Sequence, residues 1–390
     1  MPMDFSLTTE QESIRDEVKK ACAPFDDDYW LERDRTAAFP FEFHRAMAEG
    51  GWLGVTMPEE YGGAGLGATE AALMMHAVAN SSGAMSAASA IHINIFGPHP
   101  IVVFGSDEQK KHWLPDLIEG KAQSCFGVTE PDAGLNTTSI KTRAVKTDKG
   151  YLVDGRKIWT STAQEADRIM LLTRTTPKQD CERPTDGMTL FYTRLDRDYC
   201  DVQTIPKMGR AAVDSCEVFI DGLPVPEEDR IGEEGKGFTY LLHSLNPERI
   251  LIAAEAIGIG RNALARATQY AKDRVVFDRP IGKNQSIQHP LAQCWMELEA
   301  AWLMTMRAAS LYDAGQPCGI EANSAKYLAA EAGFKACTEA VMTHGGMGYA
   351  KEFHVERLLR EVMITRLAPV SPQLILCNIA EKALGLPKSY

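Results

Sequence analysis

Arg143-Ala-Val-Lys-Thr-Asp-Lys-Gly-Tyr-Leu-Val-Asp-Gly-Arg-Lys-Ile-Trp159 is the stretch whose reading decides the fold. Three short β-prone runs, Arg143-Ala-Val, Tyr151-Leu-Val and Lys157-Ile-Trp, are separated by Asp148-Lys-Gly and Asp154-Gly, both hairpin turn signals. Arg168 to Thr173, Met188 to Thr193 and Cys216 to Ile220 keep the same texture, and Pro-Gly-Asp punctuation continues to Pro226. An antiparallel β domain is therefore expected over residues 125–234.

Both flanks read as helical. Thr8 and Gln11 form a capping-box signature, and the glycine-rich stretch Leu53 to Gly67 reads as a loop. Leu73 to Ile95 reads as one small-residue helix closed by Gly97 and Pro98. After Gly237 the helical period returns: Leu291, Trp295, Leu298, Trp302, Met306 and Ala309 recur at steps of three and four, as do Ala325, Ala329, Ala332, Ala336 and Ala340. The expected architecture is α+β and multidomain, with a helical domain at 1–124, the β domain at 125–234 and a helical bundle at 235–390. That order excludes a doubly wound nucleotide-binding fold, which would alternate strands and helices.

Length and composition agree with this division. A chain of 390 residues exceeds what one core normally organises, and 45% hydrophobic with 24% charged residues is ordinary for globular proteins. Lys plus Arg total 41 against 53 Asp plus Glu, a net charge of −12 that argues against nucleic-acid or anionic-membrane partners. The nine Cys are scattered without a C-x-x-C, and the nine His show no metal-ligand spacing, so buried thiols and no metal centre are expected. The opening Met1-Pro-Met-Asp-Phe has no secretory pattern, and Ile250 to Gly260 is too short to span a bilayer; a cytoplasmic location is expected.

Phe126-Gly-Val-Thr-Glu-Pro-Asp-Ala-Gly-Leu-Asn136 carries the first chemical signal, and Trp159-Thr-Ser161, Arg274-Val-Val-Phe277, Gln285 and His344-Gly-Gly-Met-Gly348 follow it in order. Together these segments resemble the acyl-CoA dehydrogenase family over essentially the whole chain. The resemblance implies FAD as cofactor, an acyl-CoA thioester as substrate, an electron-transfer flavoprotein as acceptor, and a homo-oligomer, commonly a tetramer. It makes Phe126, Val128, Thr129, Gly134 and Leu135 the flavin loop, Trp159 a stacking wall and Ser161 a hydroxyl at the reactive ring nitrogen. It gives Arg274, Phe277, Gln285, Gly345, Gly346 and Met347 to the adenine and pyrophosphate half, part of it across a subunit boundary. Plain structural readings stand beside these: Trp159 as a strand aromatic, Gly345 and Gly346 as a helix C-cap.

The proton-abstracting carboxylate is the point of departure. Many family members carry it in a Tyr-Glu-Gly-Thr segment near the C-terminus, where this chain has Ala368-Pro369-Val370-Ser371. Pro369 supplies neither a carboxylate nor a backbone N–H. Isovaleryl-CoA and long-chain-type members instead place the Glu on a long helix immediately before an Arg, the position of Glu248 and Arg249 here. The resemblance makes Glu248 the base and puts Arg249, Asn246 and Leu135 at substrate positions, where Asn246 replaces a common Asp and Leu135 a loop Ser, each with loss of a polar or charged contact. The alternative is that Asn246-Pro247-Glu248 starts a helix, as N-cap, proline and first-turn acid. Glu255 reads as structural. Two other readings of the chain remain at this level, a flavin oxidase or oxygenase on the same scaffold and a non-catalytic FAD-binding subunit.

Overall fold

A computed structural model describes residues 5–389. The N-terminal helices are α1 (Thr9–Cys22), α2 (Asp27–Thr36), α3 (Phe41–Glu49), α4 (Ala68–Ala79), α5 (Ala84–Phe96), α6 (His99–Phe104) and α7 (Asp107–Ile118). Local chemistry sets their starts. Thr8 and Gln11 form the expected capping box on α1, Ser106 and Gln109 form one on α7, and the Asp26 carboxylate caps α2. The stretch expected as one helix from Leu73 to Ile95 is broken into α4 and α5 at Asn80–Gly83, where the Trp30 ring leaves no room for a Cβ on Gly83. The apolar run Ala84–Phe104 is long enough to cross a membrane by length and composition, and 72% of its most apolar 18-residue window is buried inside the protein.

The middle of the chain forms one sheet from β1 (Ser124–Gly127), β2 (Arg143–Thr147), β3 (Gly150–Ser161), β4 (Arg168–Arg174), β5 (Met188–Arg194), β6 (Cys200–Thr204), β7 (Ser215–Val225) and β8 (Arg230–Ile231). Strand order is β6-β7-β3-β2-β4-β5-β8, with β1 on β4. Pairing is antiparallel except β1–β4 and the single β2–β4 link. Asp148-Lys149 makes the expected hairpin turn between β2 and β3. Asp154-Gly155 does not turn; it is a bulge inside β3, where the Thr142 side chain occupies the place of a Cβ on Gly155.

Four long helices follow: α8 (Gly237–Asp273), α9 (Gln285–Asp313), α10 (Gly319–His344) and α11 (Val355–Leu367), then α12 (Pro372–Lys382). Between α8 and α9 stands a small hairpin, β9 (Val275–Val276) and β10 (Arg279–Pro280). The alanine stripe of α10 is buried as expected. On α9 the buried residues are Cys294, Leu298, Ala301, Thr305, Ala308 and Ala309; Leu298 and Ala309 of the expected stripe are among them, Leu291 and Trp302 pack against that core, and Trp295 is 58% exposed. Trp295, Met296, Leu303, Met342 and Leu367 leave much apolar surface on the bundle.

Candidate active site

The flavin-loop residues and β3 meet through the backbone. Thr129 accepts a hydrogen bond from the Ile158 N–H at 2.9 Å. Lys157 Nζ donates to the Val128 carbonyl at 3.1 Å and to Glu130 Oε1 at 2.9 Å. Glu130 also accepts from the backbone N–H groups of Lys141 (2.6 Å) and Thr142 (3.0 Å). Burial would raise the Glu130 pKa, but Lys157 and these donors hold it below its ordinary value. Lys157 and Glu130 thus hold the loop, roles that a reading along the chain did not assign.

A bulge then turns Trp159 outward. A regular strand would put residues 157 and 159 on one face. Here the register shifts between Lys157 and Thr160, and Trp159 adopts φ 60°. Lys157 is consequently enclosed while Trp159 is 55% exposed. A bulky residue at positive φ costs of order 1–3 kcal/mol, and such strain gathers at functional sites. Ser161 lies two residues on, its Oγ 3.3 Å from Ser215 Oγ. Arg210 reaches Ser215 Oγ at 3.3 Å and Ser89 Oγ of α5 at 3.0 Å. Gly134 faces open space and Leu135 is 59% exposed.

A second group forms a separate groove of about 490 Å³ lined by Arg274, Asn284, Ser286, Gly345, Gly346 and Met347 among others. Its wall includes the stacked Tyr270 and His344 rings, centroids 4.2 Å apart. Nothing would meet a Cβ on Gly345 or Gly346, so the backbone is open to a ligand; Gly345, at φ 60°, also ends α10. The helix-cap reading is thus met at Gly345, and Gly346 follows it with its backbone equally open. No flavin-loop residue lines this groove. Gln285 is exposed beside it, and Phe277 stands at the β9–β10 tip, 93% exposed, with φ positive at both Phe277 and Asp278.

Glu248 lies in the middle of α8. The helix begins at Gly237 and carries Pro247 in its interior, so Asn246 is not an N-cap and Glu248 is not a first-turn acid. Asn246 Oδ1 instead accepts from Arg249 Nη1 at 3.0 Å. Glu248 is half-buried and has no hydrogen-bond or ion-pair partner among the described residues. Burial pushes its pKa up to about 7, against the opposing charges of His92 and Arg249. The buried Lys326 of α10 donates to the Val370 carbonyl at 2.8 Å, tying the Pro369 segment to the charges around Glu248. A half-buried, unpaired carboxylate with a pKa near neutrality can serve as a general base.

The chain matches the acyl-CoA dehydrogenase N-terminal domain at residues 8–121, the middle domain at 125–223 and the C-terminal domain at 235–383. It is 36% identical over 399 residues to an acyl-CoA dehydrogenase of Mycobacterium bovis, covering 99% of each chain. It also resembles the solved butyryl-CoA dehydrogenase of Megasphaera elsdenii, with TM-score 0.93 and 30% identity over 98% of this chain and 100% of that one. The FAD complex of PigA is similar too, with TM-score 0.92 and 26% identity over 98% of this chain and 100% of that one. The residues fit that cofactor: the outward Trp159 offers a flat apolar face, and the uncovered backbone at Gly134, Gly345 and Gly346 admits close approach. This protein belongs to the acyl-CoA dehydrogenase family of FAD-dependent oxidoreductases.

Proposed function

We propose that the protein converts an acyl-CoA thioester to the corresponding enoyl-CoA, with Glu248 removing the α-proton. The observation that carries this reading is the state of Glu248: unpaired, half-buried and held at a pKa of about 7. A base of that strength is ionised in a useful fraction at neutral pH and keeps driving force for proton transfer. Bound FAD would supply the acceptor for the hydride that leaves the β-carbon. The exposed face of Trp159 would support one side of the ring, Ser161 would supply a hydroxyl to its polar edge, and the Phe126–Thr129 backbone would orient it.

The reading extends to assembly and electron transfer. The groove at Arg274 and Gly345–Gly346 contains no flavin-loop residue, and Phe277 projects from it at a strained tip. A second copy supplying Arg274, Phe277 and Gln285 to the FAD held by this one completes the cofactor site, and the apolar surface around Trp295 and Met342 suits such an interface. An electron-transfer flavoprotein is the proposed acceptor. The test is anaerobic titration of the yellow holoprotein with saturated acyl-CoAs, then addition of the acceptor. Bleaching followed by reoxidation supports the reading. A flavin that no acyl-CoA bleaches, or that air reoxidises faster than the acceptor, goes against it.

A further inference from the structure

One face of α5 carries Ser86, Ser89, His92 and Phe96 at spacings of three, three and four. Ser86 binds Glu361 of α11, Ser89 accepts from Arg210, and the Phe96 ring lies 5.4 Å from Phe126 of the flavin loop. His92 packs its ring 4.6 Å from Phe96 and sets Nδ1 2.6 Å from Glu255 Oε1 of α8. Glu255 is wholly buried, and its second oxygen, Oε2, is enclosed without a partner. The His92 side chain keeps 8% of its surface open, and its Nε2 has no hydrogen-bond partner among the described residues.

The pair belongs to the same neighbourhood as the base. Glu255 follows Glu248 by seven residues, nearly two full turns, so both lie on one face of α8 about 10.5 Å apart along its axis. The charges of His92 and Glu255 both act on Glu248. A buried ion pair adds little to stability compared with apolar packing, and a buried carboxylate oxygen left unpaired costs free energy. The arrangement does make chemical sense as an oriented donor. Glu255 fixes the direction of the ring by accepting from Nδ1–H, leaving Nε2 without a partner. Burial would lower the His92 pKa, but the Glu255 carboxylate overrides it and favours the imidazolium, whose Nε2–H donates. A plain alkyl tail laid against that donor leaves it unpaired.

Resting on the dehydrogenase reading of this site, we propose that His92, oriented by Glu255, receives a hydrogen-bond-accepting oxygen near the far end of the acyl chain. The preferred substrates are then short acyl-CoAs with an oxygenated tail, and His92 is a specificity-determining residue. A site built to bind a substrate oxygen rejects the analogue lacking it far more strongly than a greasy pocket rejects a missing methylene.

The test compares three acyl-CoAs of equal chain length on the FAD-loaded protein: unsubstituted, terminally hydroxylated and terminally carboxylated. Affinity is read by calorimetry, and anaerobic flavin bleaching is recorded in the same samples. At least one oxygenated ligand is expected to bind tighter than the unsubstituted one, on the order of tenfold to a hundredfold, as for a hydrogen bond to a charged group. Which of the two prevails identifies the oxygen as hydroxyl or carboxylate. His92→Phe should abolish the preference, and Glu255→Gln, which keeps the shape, should reduce it. Equal or tighter binding of the unsubstituted ligand by the wild type overturns the inference, as does equal weakening of all three ligands in both variants. Because affinity needs no turnover, bleaching without tail preference defeats this inference alone. Tail preference without bleaching supports it and defeats the dehydrogenase reading.

Discussion

Lys157 Nζ stands 2.9 Å from Glu130 Oε1 and 3.1 Å from the Val128 carbonyl, so one buried ammonium holds the backbone before Thr129 and the side chain after it. Both side chains are almost wholly enclosed, Lys157 at 0% exposure and Glu130 at 6%. Lys157→Met leaves Glu130 an uncompensated buried charge. Breaking a buried pair by removing one partner costs about 3–5 kcal/mol. Denaturant unfolding should show that loss together with released FAD. A variant as stable as the parent that keeps its flavin would mean the loop is held by its backbone contacts alone.

Trp159 is turned out of the sheet at φ 60° and left 55% exposed, so little of the core depends on it. Trp159→Ala should therefore weaken FAD retention without lowering the stability of the apoprotein. Equilibrium dialysis of FAD and thermal unfolding of the apoprotein measure the two separately. Unchanged affinity and flavin spectrum would rule out stacking.

Phe277 is 93% exposed at the β9–β10 tip and supports nothing within its own chain. Phe277→Ser should leave secondary structure intact yet shift the elution of the protein toward the 42.9 kDa monomer, with loss of FAD. A variant that remains oligomeric and yellow would place the subunit contact elsewhere.

The pH dependence of stability isolates the ionisation of Glu248. Its folded-state pKa, about 7, lies above the ordinary 4.5, through burial, with Glu255 adding to the rise and His92, Arg249 and Lys326 opposing it. Between those two values the unfolded chain gives up the proton first. Stability from this group is thus present below about 4.5 and is lost as pH rises through about 7. Glu248→Gln lacks that loss. Relative to the parent it should gain stability across that window and level off above it. Melting curves at several pH values test this, and a difference that does not vary with pH would remove the raised pKa.

Much of this was legible along the chain, for identifiable reasons. The capping box at Thr8 and Gln11 and the α10 alanine stripe are local patterns, and they appear where expected. Asp154-Gly155 misled because the same dipeptide serves a turn or a bulge, and the deciding group, Thr142, comes from another segment. Within the α9 stripe Trp295 misled, because it is apolar without facing this chain's core, whereas Leu298 and Ala309 are buried. Pro247 suggested a helix start, whereas the helix runs through it from Gly237. Lys157 and Glu130 are 27 residues apart, and His92 and Glu255 are 163 apart, so neither pair leaves a spacing signal.

The most direct measurement is the rate of anaerobic flavin bleaching by a good acyl-CoA substrate in the parent and in Glu248→Gln. The variant keeps the side-chain shape and should still bind FAD and the thioester. General-base catalysis contributes about 10²–10⁴-fold, and the bleaching rate should fall within that range. A Glu248→Gln protein that bleaches as fast as its parent would contradict the assignment of Glu248 as the base.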